Sequence, residues 1–245
     1  MSCGLDVEPE VGFREGQKQK DNMKTSGVKV MLVGLVAAAL TVSAQASLIP
    51  ILNAGFELPS ILAPPSAGSI PYWVPNPIGQ ASGGVWNIAA GSYGFWNVLA
   101  PEGNQVGYVA RADQVGPTSI TQTLGATVVV GMTYTLDGFV GHPIGFGSTL
   151  GTVYTISILA NGFAVQTITA TGPEGSFAPF SLTWTGNSLY AGETLGILLG
   201  TSHAQTAFDA LSLTAVPEPT TMVAGALLLL PFGASTLRIL RRRTA

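Results

Sequence analysis

Few residues of this chain could carry acid, base or metal chemistry. Its 245 residues include two histidines, 13 acidic residues and one cysteine. His142 and His203 stand in loop-like surroundings, and neither a Gly-x-Ser-x-Gly nor a His-Glu-x-x-His motif is present. A carboxylate pair for glycoside hydrolysis could be drawn from four glutamates, but their spacing favours no pair: Glu57, Glu102, Glu174 and Glu193. We therefore predict no catalytic residues and no enzyme, and a secreted glycan-active hydrolase is the less favoured alternative.

The composition excludes several other classes of protein. Charged residues make up 9% of the chain, against roughly 25% in an average soluble domain. One cysteine excludes a disulfide scaffold and a cysteine-based zinc site. The net charge of −3 disfavours nucleic acid as a partner. Between residues 47 and 216 the only basic residue is Arg111, so the central body is acidic and its basic residues lie at the two ends.

Aromatic residues concentrate between Tyr72 and Tyr108, in a stretch rich in Gly, Asn, Pro and Ser. Exposed Trp rings can stack on sugars, and neighbouring amides can bind hydroxyl groups. This pattern gives a candidate glycan-binding platform: Trp73, Trp86 and Trp96, with Asn87, Asn97 and Gln105. The alternative is that these rings fill the core.

Short alternating or apolar runs, separated by turn residues, predict an all-β body. Asn161-Gly162 between two runs predicts a tight hairpin. The pattern is typical of an antiparallel β-sandwich or barrel. The predicted strands cover residues 48–52, 84–89, 106–110, 119–124, 133–140, 152–160, 164–169, 180–185, 194–200 and 207–213.

The N-terminal segment is typical of a secretory signal. Lys24 and Lys29 precede an apolar run over 30–42, which is too short to span a bilayer, and Ala44-Gln45-Ala46 gives an Ala-x-Ala cleavage site. The polar residues 1–22 fit either a disordered extension or a start at Met23 instead of Met1. We predict a signal-peptide helix over 23–46, with signal peptidase as the processing enzyme.

The C-terminal segment, residues 217–245, combines three features. Pro217-Glu218-Pro219 is followed by an apolar run over 222–237 and by Arg241-Arg242-Arg243. The run is long enough for a transmembrane helix if the arginines snorkel, and the arginines favour a cytoplasmic end. This tripartite tail resembles the PEP-CTERM sorting signal of Gram-negative bacteria. The resemblance implies an exosortase partner, transient anchoring in the inner membrane, and delivery to the cell surface or medium alongside exopolysaccharide and biofilm.

The ends of the body, residues 47–216, carry a second resemblance. Asn53-Ala54-Gly55-Phe56-Glu57 and Phe208-Asp209-Ala210-Leu211-Ser212-Leu213 are similar to the first and last strands of galactose-binding-like jelly rolls, among them several carbohydrate-binding modules. The resemblance implies a jelly-roll sandwich in which a structural calcium ion ties the first strand to the last. Glu57 and Asp209 stand at the matching positions, and carboxylates with loop carbonyls are ligands that calcium accepts. The alternative is that the two acids only bind backbone amides.

Taken together, these patterns predict an exported, exosortase-sorted surface or matrix protein. On this interpretation it is non-enzymatic and binds exopolysaccharide. A purely structural or self-associating matrix protein is the alternative.

Overall fold

The computed structural model describes residues 45–61, 68–76, 81–88, 94–111, 117–146 and 151–218. Within these ranges the chain forms β-strands almost throughout, with one short 3-10 helix at Ser188–Tyr190. The strands are β1 Ser47–Ile49, β2 Val74–Asn76, β3 Ala81–Asn87, β4 Gln105–Arg111, β5 Thr118–Thr127, β6 Met132–Gly141, β7 Tyr154–Ala160, β8 Phe163–Ala170, β9 Ala178–Thr185, β10 Thr194–Thr201 and β11 Gln205–Pro217.

The described strands form two sheets, and neighbouring strands in each sheet run antiparallel. Sheet A has the order β3-β4-β11-β6-β9, and β1 adds to β11. Sheet B has the order β2-β5-β10-β7-β8. The long strand β11 pairs with β4 over its first residues, with β1 over its last residues and with β6 on its other side. The first and last strands of the body therefore lie side by side.

The alternation of apolar and polar residues explains how the two sheets pack. In β6, buried residues alternate with half-buried ones from Tyr134 to Val140. In β10, Leu195, Ile197 and Leu199 are buried in the core, and they alternate with Gly196, Leu198 and Gly200 on the other face. Such period-two patterns place one face of each sheet in a shared apolar core. The outer face of sheet A is left to carry the features described below.

A bulge in β11 sets the position of one acidic residue. The β11–β6 register shifts between Asp209 and Ser212, and Ala210 takes a left-handed φ of 49°. Asp209 lies just before this shift and one residue beyond Phe208, whose pairing with Gly107 ends the β4–β11 register. A bulge changes the direction of the side chains beside it. This bulge lies between the part of β11 that pairs with β4 and the part that pairs with β1.

The predicted antiparallel sandwich is confirmed. Each of the predicted strands overlaps an observed one, and Asn161 and Gly162, both at positive φ, form the tight turn between β7 and β8. The prediction missed β2, a three-residue strand that contains Pro75. Such a short run has no alternation to detect.

Several predictions lie wholly or partly outside the described residues. These are the signal-peptide helix with Ala44, the apolar tail helix, Pro219, and Arg241, Arg242 and Arg243. Of the predicted motif residues at the two ends, only Ala46, Pro217 and Glu218 are described. The boundaries at 1–22, 23–46, 47–216 and 217–245, and export itself, stay predictions. Among the residues that the structure describes, none belongs to a helix with the length and apolar character needed to cross a membrane.

Candidate functional site

An aromatic cluster covers one part of the outer face of sheet A. We define it by five rings: Trp86, Phe95, Trp96, Phe146 and Phe177. Trp96 is fully buried at its centre, and the other four rings are half-buried. Ile88, Val106 and Ala207 form its buried floor. The cluster is separate from the core between the sheets, so it is a second apolar region built on the other side of sheet A.

The rings of the aromatic cluster meet in specific geometries. Trp96 stacks on Phe177 with ring centroids 4.6 Å apart and planes 5° apart. Trp86 meets Trp96 edge-on at 6.1 Å and Phe95 edge-on at 5.7 Å, and Phe95 meets Phe146 at 5.8 Å. Offset stacking and edge-to-face contacts are the arrangements that aromatic pairs prefer. The buried Nε1 of Trp96 has no hydrogen-bond partner among the described residues, which leaves one donor available inside the cluster.

Three loops bring these rings together. The Asn97 amide donates to the Gly175 carbonyl oxygen at 2.8 Å, and the Ile144 amide donates to the Phe95 carbonyl oxygen at 3.0 Å. These bonds join the β3–β4 loop to the loops that follow β6 and β8. The rings come from residues more than 80 positions apart in sequence, and the backbone bonds fix their mutual positions.

The predicted glycan platform is not assembled as one surface. Trp73 is buried in the core between the sheets, where its ring lies 5.6 Å from that of Phe56. Only Trp86 and Trp96 belong to the aromatic cluster, and Trp96 has no exposed surface. The expectation of exposed sugar-stacking tryptophans therefore fails for two of the three rings.

The amide residues predicted to bind sugar beside these rings have other hydrogen-bond partners or another location. Gln105 is buried and donates from Nε2 to the carbonyl oxygens of Phe56 and Pro59, at 3.0 and 3.1 Å. Asn87 donates from Nδ2 to the Ile61 carbonyl oxygen at 2.6 Å. Both side chains therefore hold the segment after β1 against the sheet. Asn97 is exposed in the β3–β4 loop.

Three carboxylates form a second group, the carboxylate cluster: Glu57, Glu102 and Asp209. Glu57 accepts hydrogen bonds from the amides of Asn104 and Gln105 at 2.8 and 2.9 Å. Its carboxylate lies against Gly103, and that of Glu102 lies over Gly55, where an added Cβ would approach Glu102 Oε2 to 3.0 Å. Asp209 accepts from the Glu102 amide at 2.8 Å. The segment after β1, the β3–β4 loop and β11 thus meet at these acids.

Asp209 is the electrostatically unusual member of the carboxylate cluster. It has no exposed surface, and burial, opposed by hydrogen bonds from the Glu102 and Ala210 amides, raises its pKa to about 7. The negative charges of Glu102 and Glu57 contribute to this increase in the pKa. Both of its oxygens accept amide hydrogen bonds at 2.8 Å, which favour the ionised form without outweighing the effect of burial. An ionised carboxylate here would be stabilised by a nearby cation.

The carboxylate cluster has a donor set that fits calcium in chemistry. Calcium takes carboxylate and loop carbonyl oxygens. In the described part of the chain, however, no group of three or more His, Cys, Asp or Glu side chains is arranged to hold a metal ion. The charges of the three acids interact, but their side chains do not form a closed ligand cage. Any ion here would draw part of its coordination from backbone oxygens.

The two histidines differ sharply in their surroundings. His142 is fully buried just after β6, whereas His203 is exposed and its Nδ1 lies 2.9 Å from Ser202 Oγ. Their sequence neighbours suggested loops for both. Neither the burial of His142 nor the contribution of Phe146 and Phe177 to the aromatic cluster had a signal in the local sequence, since each depends on contacts between distant segments.

This architecture is that of a jelly-roll-like sandwich, and comparison with known proteins assigns it to a family. Residues 47–214 match the family model HpiC1-like, described as HpiC1 cyclase. Because the match covers well over half of the 245 residues, the chain belongs to the HpiC1-like family. A search of curated proteins finds no match.

Solved structures agree with the family assignment. The chain is 28% identical to the Stig cyclase FisC from Fischerella sp. TAU in complex with (3Z)-3-(1-methyl-2-pyrrolidinylidene)-3H-indole, with a TM-score of 0.63 over 71% of this chain and 100% of that one. An apo cyclase from Fischerella sp. is 29% identical, with a TM-score of 0.64 over 72% of this chain and 99% of that one. A Fischerella sp. TAU cyclase in complex with 4-(1H-indol-3-yl)butan-2-one is 28% identical, with a TM-score of 0.62 over 70% and 98%.

These findings overturn the predicted identity and function. The protein is a member of a cyclase family, so the predictions of a PEP-CTERM matrix protein and of a non-enzyme are wrong. The predicted exosortase and exopolysaccharide partners find no support, because the family is one of cyclases and a solved relative holds a small indole compound. A carbohydrate-binding module, TmCBM61 in complex with β-1,4-galactotriose, is 13% identical with a TM-score of 0.45, too distant to support glycan binding. The jelly-roll resemblance was correct as a fold, and it misled because one fold serves many functions.

Proposed function

We propose that this protein is a cyclase that closes a ring within a small molecule bearing an indole-like aromatic group, and that the substrate binds against the aromatic cluster. The single observation that carries the proposal is this cluster of half-buried rings in a chain of the HpiC1-like family. Two of the related cyclases were solved with indole compounds, which are flat and apolar. The partly exposed faces of Trp86, Phe95 and Phe146 offer stacking surfaces for such a molecule.

The arrangement supplies what ring closure needs from a protein. An intramolecular cyclisation requires a flexible chain to fold until its reacting atoms lie about 3–3.5 Å apart. Rings fixed by several mutual contacts can hold one aromatic end of the substrate while the remainder folds. Aromatic faces also stabilise positive charge as it develops in the substrate.

The test compares two half-buried tryptophans. The full-length protein is incubated with a panel of open-chain indole precursors, and products of unchanged mass are identified by chromatography and mass spectrometry. Trp86→Ala should lower kcat/KM at least about tenfold, equivalent to roughly 1.4 kcal/mol. Trp184→Ala is the matched control, because Trp184 packs on Tyr134 and Tyr190 away from the cluster. Equal losses in the two variants, or no isomerised product with any precursor, would reject the proposal.

We further propose that a calcium ion binds at the carboxylate cluster, with Glu57 and Asp209 as ligands and Glu102 beside them. Two further acids, Glu57 and Glu102, beside the buried carboxylate of Asp209 support this proposal, because a divalent cation would offset the repulsion among the three. The ion would tie the segment after β1 to the last strand and to the β3–β4 loop. Its role would be structural, since it supports the loop that carries Phe95 and Trp96.

Calorimetry tests the calcium proposal. Calcium should raise the unfolding temperature of the full-length protein relative to EDTA. The corresponding gain in the free energy of unfolding is RT ln(1 + [L]/Kd), where [L] is the free calcium concentration and Kd its dissociation constant. Asp209→Asn should abolish that shift, whereas Asp137→Asn, a change of a half-buried acid on β6, should retain it. If Asp209 were instead the proton donor of the cyclisation, Asp209→Asn would abolish turnover and keep the calcium shift. That result, or the absence of any shift in the wild type, would rule out the calcium site.

A further inference from the structure

The buried ring of His142 is held by hydrogen bonds on both of its nitrogens. Nε2 accepts from the Gly172 amide at 3.1 Å. Nδ1 lies 3.0 Å from the Gln205 carbonyl oxygen and 3.2 Å from Thr206 Oγ1. Thr206 Oγ1 donates its own proton to Thr201 Oγ1 at 2.9 Å, so toward the ring it is an acceptor. Every partner of Nδ1 is therefore an acceptor.

These partners select one form of the imidazole. Because Nε2 accepts a hydrogen bond, it carries no proton, and Nδ1 must carry the proton that it donates to Gln205. The ring is thus neutral and in its Nδ1–H tautomer. Protonation would place a hydrogen on Nε2 directly facing the amide hydrogen of Gly172, and that hydrogen bond would be replaced by repulsion between two donors.

His142 also binds the β8–β9 loop, residues 171–177, through its backbone. Its amide donates to the Pro173 carbonyl oxygen at 2.8 Å, and its carbonyl oxygen accepts from the Gly175 amide at 2.7 Å. A Cβ added at Gly172 would lie 3.1 Å from His142 Nε2, so the loop packs closely on the ring. Side chain and backbone of one residue therefore hold this loop at three points.

The loop bound by His142 carries part of the aromatic cluster. Phe177, at its end, stacks on Trp96, and the Gly175 carbonyl oxygen accepts from the Asn97 amide at 2.8 Å. The position of the Phe177 ring relative to Trp96 therefore depends on where the loop is held. Gly175 is bound by His142 on one side and by the β3–β4 loop on the other.

We propose that His142 is a positioning residue: its neutral Nδ1–H ring holds the β8–β9 loop so that Phe177 completes the aromatic cluster, and protonation of the ring releases the loop. The charged group that faces His142 is Glu174, from the β8–β9 loop itself. From β10 and β11 the ring meets only the uncharged Thr201–Thr206 pair and the Gln205 carbonyl. The consequence for catalysis rests on the proposed cyclase function; the release of the loop does not.

The pH range follows from the burial of the ring. Desolvation lowers the pKa of His142 below 6.5, and the Gln205 carbonyl and the charge of Glu174 oppose this. An unfolded chain would take up the proton at about pH 6.5, before the folded protein does. Stability contributed by the neutral ring is therefore present above pH 6.5 and is lost as the pH falls through 6.5 toward the folded pKa.

The first experiment is nitrogen-15 NMR on full-length His203→Gln protein. The sequence has two histidines, so this variant leaves His142 as the only imidazole. His203 takes no part in the hydrogen bonds between His142 and the β8–β9 loop. We expect the Nδ1–H tautomer at neutral pH and a titration midpoint below 6.5. Tryptophan fluorescence should change with the same midpoint, because Trp96 loses its stacked neighbour. The Nε2–H tautomer, or fluorescence that stays constant through the titration of the ring, would overturn the proposal.

The second experiment uses a variant that cannot titrate. His142→Gln keeps one donor and one acceptor without a charge change, and it should remove the acid transition in fluorescence. If this variant does not fold, the NMR titration of the His203→Gln protein decides the matter alone. Binding of 4-(1H-indol-3-yl)butan-2-one should weaken about tenfold between about pH 8 and about pH 5 in the His203→Gln protein. No binding at either pH would count against the proposed substrate class, whereas an unchanged fluorescence transition in His142→Gln would count against the role of His142.

Discussion

The two halves of the β3–β4 loop are held in place by different interactions. Around Phe95 and Trp96 the loop is fixed by aromatic stacking and apolar burial. Around Glu102 and Gly103, a few residues further on, it is fixed by carboxylates that accept backbone amide hydrogens. One segment thus carries the ring chemistry of the candidate active site at one end and the acids of the candidate calcium site at the other.

This difference between the two halves of the loop indicates how a domain with so few charged residues separates two roles. The rings of the aromatic half carry no charge themselves, and on the proposal above pH reaches them only through His142, which holds the loop of Phe177. A group of three acids with a buried member depends strongly on both pH and ions. We infer that the acidic half regulates how firmly the loop is anchored, while the aromatic half determines what it presents. Variants in each half can test this division.

The largest effect is expected from removing the ring at the centre of the aromatic half. Trp96→Ala deletes a side chain with no exposed surface and leaves Phe177 without its stacked partner. Burial losses of this kind cost about 3–5 kcal/mol in the free energy of unfolding. Urea denaturation measures this cost, and calcium should raise stability by the same amount in the variant as in the wild type.

The matched control for Trp96→Ala is Leu99→Ala in the same loop. The Leu99 side chain is 63% exposed, so its truncation should change the free energy of unfolding by less than about 0.5 kcal/mol. A small effect of Trp96→Ala, comparable to that of Leu99→Ala, would show that the aromatic half is not held by packing. A Trp96→Ala protein that no longer responds to calcium would show that the two halves are not independent.

The sandwich could be predicted from sequence because its signals are local. Alternation in β6 and the turn at Asn161 and Gly162 each specify a strand or a hairpin without reference to the remainder of the chain. The pairing of the first and last strands could be predicted only from the jelly-roll resemblance. Strand β2 escaped because three residues carry no periodicity.

The candidate site could be predicted only in fragments. Glu57 and Asp209 were singled out as a pair, but Glu102 joins them through a loop contact that no spacing reveals. Trp86 and Trp96 were grouped, but Trp73 faces the opposite side of sheet A. The enzyme class was missed because the sequence carries no nucleophile or metal motif, and on the proposed function a substrate that folds against aromatic rings requires none.

The smallest difference should come from two glycines, one in each half of the β3–β4 loop. Gly94 and Gly103 both have left-handed backbone, with φ of 73° and 60°, so alanine at either position costs about 1–2 kcal/mol. Among the described residues, no atom lies within 4 Å of a Cβ added at Gly94, whereas a Cβ at Gly103 would contact the Glu57 carboxylate. Glu57 can move away only by giving up its bonds to the Asn104 and Gln105 amides. We therefore expect Gly103→Ala to lower the free energy of unfolding by about 1.5 kcal/mol more than Gly94→Ala. Urea denaturation of both variants, with calcium and with EDTA, measures this excess; equal losses would mean that the acidic half of the loop is not anchored by Glu57.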